Sequence, residues 1–399
     1  MKGFKGIVAG LVIVFGIIIA LYFVIQIIPP SYPPIRALWV TRFDYTTKED
    51  VQAIVKNVAK EGFTDLFFQI RGNGTVFYPS KLEPWAQELS GGKIGDLGKN
   101  PGWNPLQTAI DAAKPYHLRI HAYMNVLPGW RGTEEPAKKQ KQLWTAHPDW
   151  FMVDSMGKKM LPTKGWYSFV NPLIPEVRSH LQGIVAELCT YDVAGIHLDY
   201  IRYPEDYRLV AKERYPKASK NEILRHSDFS YDPLSVGLMK QKYGNKITRE
   251  NIVQFRCDSV TRLLKDLSYT MQQTRTNCVL SASVFGDPTK GREQAYQDSG
   301  TWIRKQYLDW AIQMNYATRS FNQNLKKIKR AGGWRGFARS VVVGIYCKND
   351  TKTLIEQIQH VKKAHCRGIA LFSYSYLFDL KTHQKTKKGK IILQHLKHF

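Results

Sequence analysis

Eight short runs of β-branched and aromatic residues, each followed by a loop and an amphipathic stretch, limit this chain to very few architectures. They are Arg36–Phe43, Thr64–Arg71, Leu118–Val126, Gly195–Tyr203, Cys278–Phe285, Leu308–Tyr316, Val341–Cys347 and Gly368–Tyr376. Most begin as near-continuous apolar sequence, as strands covered on both faces do. Helix signals fall between them. Thr47 precedes Lys48-Glu49-Asp50 and a V-x-x-I-V-x-x-V-A pattern that Gly62 closes. Asn104-Pro105 reads as N-cap and first residue of a helix through Ala113. Val177–Leu188, Ile252–Leu267, Leu325–Lys329, Thr353–Val361 and Ile391–His398 carry helical periodicity. Alternating strands and helices imply a parallel sheet, and eight such units imply an α/β fold closed as a (β/α)8 TIM barrel. At 399 residues the chain is long enough for one.

A second constraint lies ahead of the first strand. Ile7 to Ile28 is one apolar run broken only by Gln26, preceded by Lys2 and Lys5. As a helix rising about 1.5 Å per residue it covers roughly the 30 Å of a bilayer's hydrocarbon. The run exceeds a typical signal-peptide core of about 7–15 residues and no A-x-A site follows. The expected order is therefore an uncleaved anchor helix over 1–28, a Pro-rich spacer over 29–35 and the barrel over 36–399. That order makes the chain a single-pass protein of the cell membrane, with its body extracytoplasmic. Cys189, Cys257, Cys278, Cys347 and Cys366 are scattered and odd in number, and the lack of a C-x-x-C pair argues against a zinc ribbon. Free buried thiols are the default, with one or two bridges open to an extracytoplasmic body.

Two connections are long, 127–171 and 204–248, and both follow the C-terminal end of a strand, where barrel sites are built. The first carries Trp130, Trp144, Trp150 and Trp166. These either wall a sugar site or simply pack the loop.

Polar residues gather at the C-terminal ends of the strands: Thr41, Arg42 and Asp44; Gln69 and Arg71; His121 and Asn125; His197, Asp199 and Arg202; Asp287; Gln313 and Asn315; Tyr346; Ser373 and Tyr374. Burying such groups is costly unless they meet each other or a polar ligand, so the barrel mouth is the expected site. There is no H-E-x-x-H, no G-x-S-x-G, no P-loop and no G-x-G-x-x-G after a strand. Neither metal nor cofactor is expected. Carboxylates remain: Asp199, Asp287 and Asp298. A pair of them held several ångströms apart is what glycoside hydrolysis needs. A purely structural alternative pairs Asp199 with Arg202 or Arg71.

The strings Arg36-Ala-Leu-Trp-Val-Thr41, Phe68-Gln-Ile-Arg71, Tyr78-Pro-Ser80 and Glu83-Pro-Trp85 occur in that order. His121-Ala-Tyr-Met-Asn125, Val170-Asn-Pro172 with Glu176-Val-Arg178, Gly195-Ile-His-Leu-Asp-Tyr-Ile-Arg-Tyr-Pro204 and Gln313-Met-Asn-Tyr316 continue the series. From Arg36 to Tyr376 the chain resembles the bacterial glycosyl-hydrolase-like family ten, the DigH-type group. The resemblance implies a barrel glycosidase acting outside the cytoplasm, on peptidoglycan glycan stripped of its peptides, with Asp199 as the catalytic candidate.

Together these readings expect a glycoside hydrolase with Asp199 as nucleophile or base and Asp287 or Asp298 as acid. Arg71, Tyr78, His121, Asn125, His197, Arg202, Asn315 and Tyr316 are the expected sugar contacts, with Trp130 as a further stacking ring. The rival is a glycan-binding barrel without catalysis, which would lack a second carboxylate within about 10 Å of Asp199. A formal net charge of +25 favours polyanionic surroundings such as wall polymers or acidic lipids. No nucleic-acid fold signature accompanies that charge, so nucleic acid is not an expected partner. The one dense basic cluster, Lys385–Lys390, reads as a solvated lead-in to the last helix.

Overall fold

A computed structural model describes residues 32–161, 165–205 and 207–397. The chain divides at Pro33/Pro34 into two units, and the description below is of the second. The expected anchor over 7–28 lies outside the described residues. Among those residues no helix is long and apolar enough to cross a membrane.

Eight parallel strands close on themselves: β1 (Ile35–Val40), β2 (Asp65–Arg71), β3 (Arg119–Asn125), β6 (Gly195–Asp199), β7 (Val279–Phe285), β8 (Trp310–Met314), β9 (Val341–Tyr346) and β10 (Gly368–Phe372). β10 pairs with β1 from Ile35↔Gly368 to Trp39↔Phe372 and completes the ring. Each strand falls inside or within one residue of a run read from the sequence. The two remaining strands, β4 (Pro128–Arg131) and β5 (Tyr167–Phe169), form a small antiparallel pair at the base of the first long connection.

Strand alternation sorts the side chains into two cores. Ile35, Ala37, Trp39, Phe67, Tyr123, Trp310, Ile312, Val342 and Ala370 fill the barrel interior. Their neighbours, such as Leu38, Val40, Leu66 and Phe68, face outward into the far larger layer between strands and helices. Gly195 keeps the interior open at β6. A Cβ there would collide with the His121 ring and the Val279 carbonyl.

The helices begin where their caps dictate. Thr47 and Asp50 form a reciprocal capping box for Lys48–Lys60, and Asn104 caps Pro105–Ala113. The last helix starts at Lys387, capped by Thr386, rather than at Ile391. The basic cluster is thus largely its first turn and not a lead-in, because Thr386 supplies the cap the lysines do not. The second long connection holds three helices, Tyr207–Arg214, Lys220–Arg225 and Pro233–Tyr243. All five cysteines are unbonded, four of them buried.

Candidate active site

Interior side chains stack in levels set by the strand register. His121 lies level with Gly195, Tyr123 with His197, and Asn125 with Asp199. The two histidines therefore sit below the mouth. His121 Nε2 meets Asp65 Oδ1 at 2.7 Å, and Arg119 holds the other oxygen of Asp65. Trp39 Nε1 donates to His197 Nε2 at 3.0 Å, so the ring proton sits on Nδ1, which faces Ser281 Oγ at 2.9 Å. Burial, and then the nearby His121, push the His197 pKa well below its ordinary value. That neutral ring is structural packing for the level above it.

At the top level lies a cavity of about 670 Å³ lined by residues from all eight strand ends and the first long connection. Of the expected site residues it contains Asp199, Asn125, Arg202 and Tyr316.

Asp199 is held by three donors. The Tyr200 N–H and Arg202 Nη1 reach its Oδ1 at 2.7 and 3.0 Å, and the Tyr123 hydroxyl donates to Oδ2 at 3.0 Å. Tyr200 adopts a left-handed backbone, φ +50°, which a bulky residue rarely does. The bend redirects the chain immediately beyond Asp199, strain of the sort found at functional sites. Burial, then the Asp199 charge, push the Tyr123 phenol far above its usual pKa, so it stays a donor. Burial opposes the Arg202 charge, but Glu205 and Asp199 outweigh it and hold the guanidinium firmly protonated.

Arg202 also brings in a carboxylate that the sequence reading omitted. Its Nε and Nη2 each lie 3.3 Å from Glu205, which lines the same cavity. Two hydrogen bonds and the width of one guanidinium separate Asp199 from Glu205. That span lies within the roughly 9.5 Å outer limit of glycosidase carboxylate pairs. The i, i+3 spacing Arg202–Glu205 was the signal available in the sequence.

Asn125 is oriented by Gln69, whose Nε2 donates to Asn125 Oδ1 at 3.1 Å. Its buried Nδ2 has no partner, and the residue lines the cavity. Phe43, Trp166, Tyr167, Tyr200, Phe285, Tyr346 and Phe372 add an aromatic lining that the sequence reading largely missed. Phe43 is half exposed, with the Arg42 guanidinium 4.4 Å over its ring.

The other expected residues are employed elsewhere, for visible reasons. A register shift between Gln69 and Arg71 pairs Arg71 with Met124, whose side chain faces outward. Arg71 is thereby turned from the axis into a buried bidentate pair with Glu83. Tyr78 donates to Glu187 on the helix Pro175–Cys189. Asn315 follows Met314 by one residue, so it faces outward and donates to the Phe321 carbonyl.

Asp287 accepts from Lys327 Nζ at 2.6 Å and caps Pro288–Ala295. Partial burial raises its pKa, but the Lys327 bond and charge together with the Thr289 and Lys290 backbone N–H groups outweigh that and hold it below the ordinary carboxylate value. Asp298 caps Ser299–Lys305. Trp130, Trp144 and Trp150 are buried in loop packing, and Trp166 alone of the four tryptophans borders the cavity. Among the described residues no group of three or more His, Cys, Asp or Glu side chains could hold a metal ion.

A sequence model of the family described as glycosyl hydrolase-like 10 matches residues 34–365. Glycosyl hydrolase YngK of Bacillus subtilis (strain 168) is 26% identical over 314 residues, covering 71% of this chain and 52% of the relative. Glycosyl hydrolase DigH of Escherichia coli (strain K12) is 25% identical over 313 residues, covering 72% and 62%. The chain thus spans little more than half the length of these curated relatives. Among solved structures, the catalytic domain of β-amylase from Paenibacillus polymyxa superposes with TM-score 0.58 at 10% identity, covering 91% of this chain and 97% of that one. α-L-Fucosidase isoenzyme 2 from Paenibacillus thiaminolyticus gives 0.60 at 10%, covering 92% and 49%. At such identities the likeness is one of fold.

Proposed function

Since this chain belongs to the glycosyl hydrolase-like 10 family, we propose that it hydrolyses glycosidic bonds at the barrel mouth, with Asp199 and Glu205 as the working carboxylates. The observation that carries this reading is the single guanidinium of Arg202, bonded to both. It gives Asp199 a second carboxylate inside the cavity, which a purely glycan-binding barrel would not need.

Asp199, with three donors on its two oxygens, is held in place to act as nucleophile or base. Glu205 is bound more loosely and is partly exposed. It is the carboxyl free to leave Arg202 and reorient toward a leaving oxygen; in this scheme it takes a proton from solvent and passes it to that oxygen. Asn125 Nδ2 is a vacant donor for a ring hydroxyl or carbonyl, and the aromatic lining suits the apolar faces of sugars. No step of this scheme requires Asp287 or Asp298.

The substrate we propose is peptidoglycan-type glycan, as the resemblance to DigH-type enzymes implies. The same reading tethers the body outside the cytoplasm through 7–28, which membrane fractionation with external protease tests. Incubating the full chain with glycan strands freed of peptide should release reducing ends. No release from these or from other β-linked hexosamine polymers would overturn the proposal.

Tyr123 serves as a positioning residue. Tyr123→Phe removes one charge-assisted hydrogen bond from Asp199, worth about 1.5–3 kcal/mol. A fall in kcat of about tenfold or more is expected, with KM little changed and a modest drop in the thermal midpoint. An equal loss in KM alone would assign the hydroxyl to substrate binding instead.

A further inference from the structure

Beyond the mouth, on the far side of Glu205, lies a second cavity of about 570 Å³. Glu205 lines both. The second is walled by Arg208 and Leu209 of the helix Tyr207–Arg214, by Leu224, by Arg249 and by Tyr296. Its size falls in the roughly 300–1,000 Å³ range of small-ligand sites.

Its chemistry is that of a sugar subsite. The Tyr296 hydroxyl accepts from Arg256 Nη1 at 2.7 Å and from Arg249 Nη2 at 3.4 Å. With both acceptor positions taken, its own proton is left to donate. Tyr296 holds a left-handed backbone at φ +55°, as Tyr200 does at the mouth. Leu209 is 73% exposed, the most exposed large apolar side chain among the described residues, and Leu224 beside the same cavity is also exposed. An apolar pair next to convergent hydrogen-bonding groups matches a pyranose, which has C–H faces and hydroxyl edges. Charge points the same way. Arg208, Arg249 and Glu293 line it, while Glu205 is already answered by Arg202 and Asp228 by Arg256. That leaves about one net positive charge, which suits an uncharged ring better than a phosphate.

We infer that this cavity is a distal subsite, binding neutral sugar units of the same glycan whose scissile bond lies in the mouth, so that Glu205 stands at the junction. The inference rests on the proposed glycosidase reading for the mouth and adds chain-length selectivity to it. Occupying a remote subsite supplies binding energy that short substrates cannot reach.

The test compares a β-1,4-linked N-acetylhexosamine disaccharide glycoside with the corresponding hexasaccharide, using the full chain and its Leu209→Ala and Arg249→Ala variants. In the parent chain kcat/KM should rise about tenfold or more with length, and in either variant the ratio should fall toward one. Leu209 is exposed enough that its loss leaves folding intact. Binding of both sugars to the Asp199→Asn chain, by calorimetry, should show the same length preference and the same loss. A parent ratio near one, or a ratio the variants do not move, overturns the subsite. If the parent cleaves neither sugar but Asp199→Asn binds the longer one in a Leu209-dependent way, the catalytic proposal fails and the second cavity stands.

Discussion

Asp199→Asn is expected to reduce turnover of peptide-free glycan by at least about 10³-fold, since it removes the charge that attacks or activates water. The amide oxygen can still accept from both the Tyr200 N–H and Arg202, which leaves its NH2 group facing the Tyr123 hydroxyl, and that hydroxyl can rotate to accept. The barrel is therefore expected to stay intact. The check is a single-turnover rate alongside circular dichroism and a thermal midpoint. Glu205→Gln should cost less with an activated aryl glycoside than with a natural sugar leaving group, because only the latter needs a proton. Full turnover by Asp199→Asn would remove the mouth carboxylate from the chemistry altogether.

The second large effect concerns stability. Arg71 and Glu83 are both fully buried and bonded through Nε–Oε2 at 2.8 Å and Nη2–Oε1 at 2.6 Å, with His180 on the same carboxylate. Glu83→Ala leaves a buried guanidinium without its counter-charge and should destabilise the fold by about 3–5 kcal/mol. Replacing Arg71 and Glu83 together by apolar residues should recover much of that loss. Denaturant midpoints of the single and double variants decide it.

The same pair makes a pH prediction. Burial pushes the Glu83 carboxyl up, but Arg71 and His180 outweigh it and bring it down to about 2. A carboxyl lowered in the folded state stabilises the fold above its unfolded pKa, near 4.5. That contribution is lost progressively as pH falls toward 2. Stability should therefore drop across this window in the parent chain and much less in the double variant.

Strand positions were legible because buried parallel strands need continuous apolar sequence, and all eight runs became barrel strands. Caps were legible where a single side chain decides them, as at Thr47 and Asn104. The site was legible only in part. Strand parity alone puts Asn125, Asp199 and Tyr316 on the inner face. It fails at Arg71, where one irregularity in register reverses the side chain's direction. Parity also says nothing of depth, so His121 and His197 look like mouth residues until the register shows them below it. Glu205 lies beyond its strand, and only the fold of the following segment brings it to Arg202.

The paired strands Pro128–Arg131 and Tyr167–Phe169 clasp the two ends of the excursion between them. The excursion is also tied down along its length: Gln142 Nε2 donates to the Asn73 carbonyl at 2.9 Å, and Asp154 meets His226 Nδ1 at 2.7 Å. A replacement with a different aromatic face would have to keep these ties as well as the two anchor strands. Grafting such a segment from a relative should retune which polymer enters while the chemistry below stays in place.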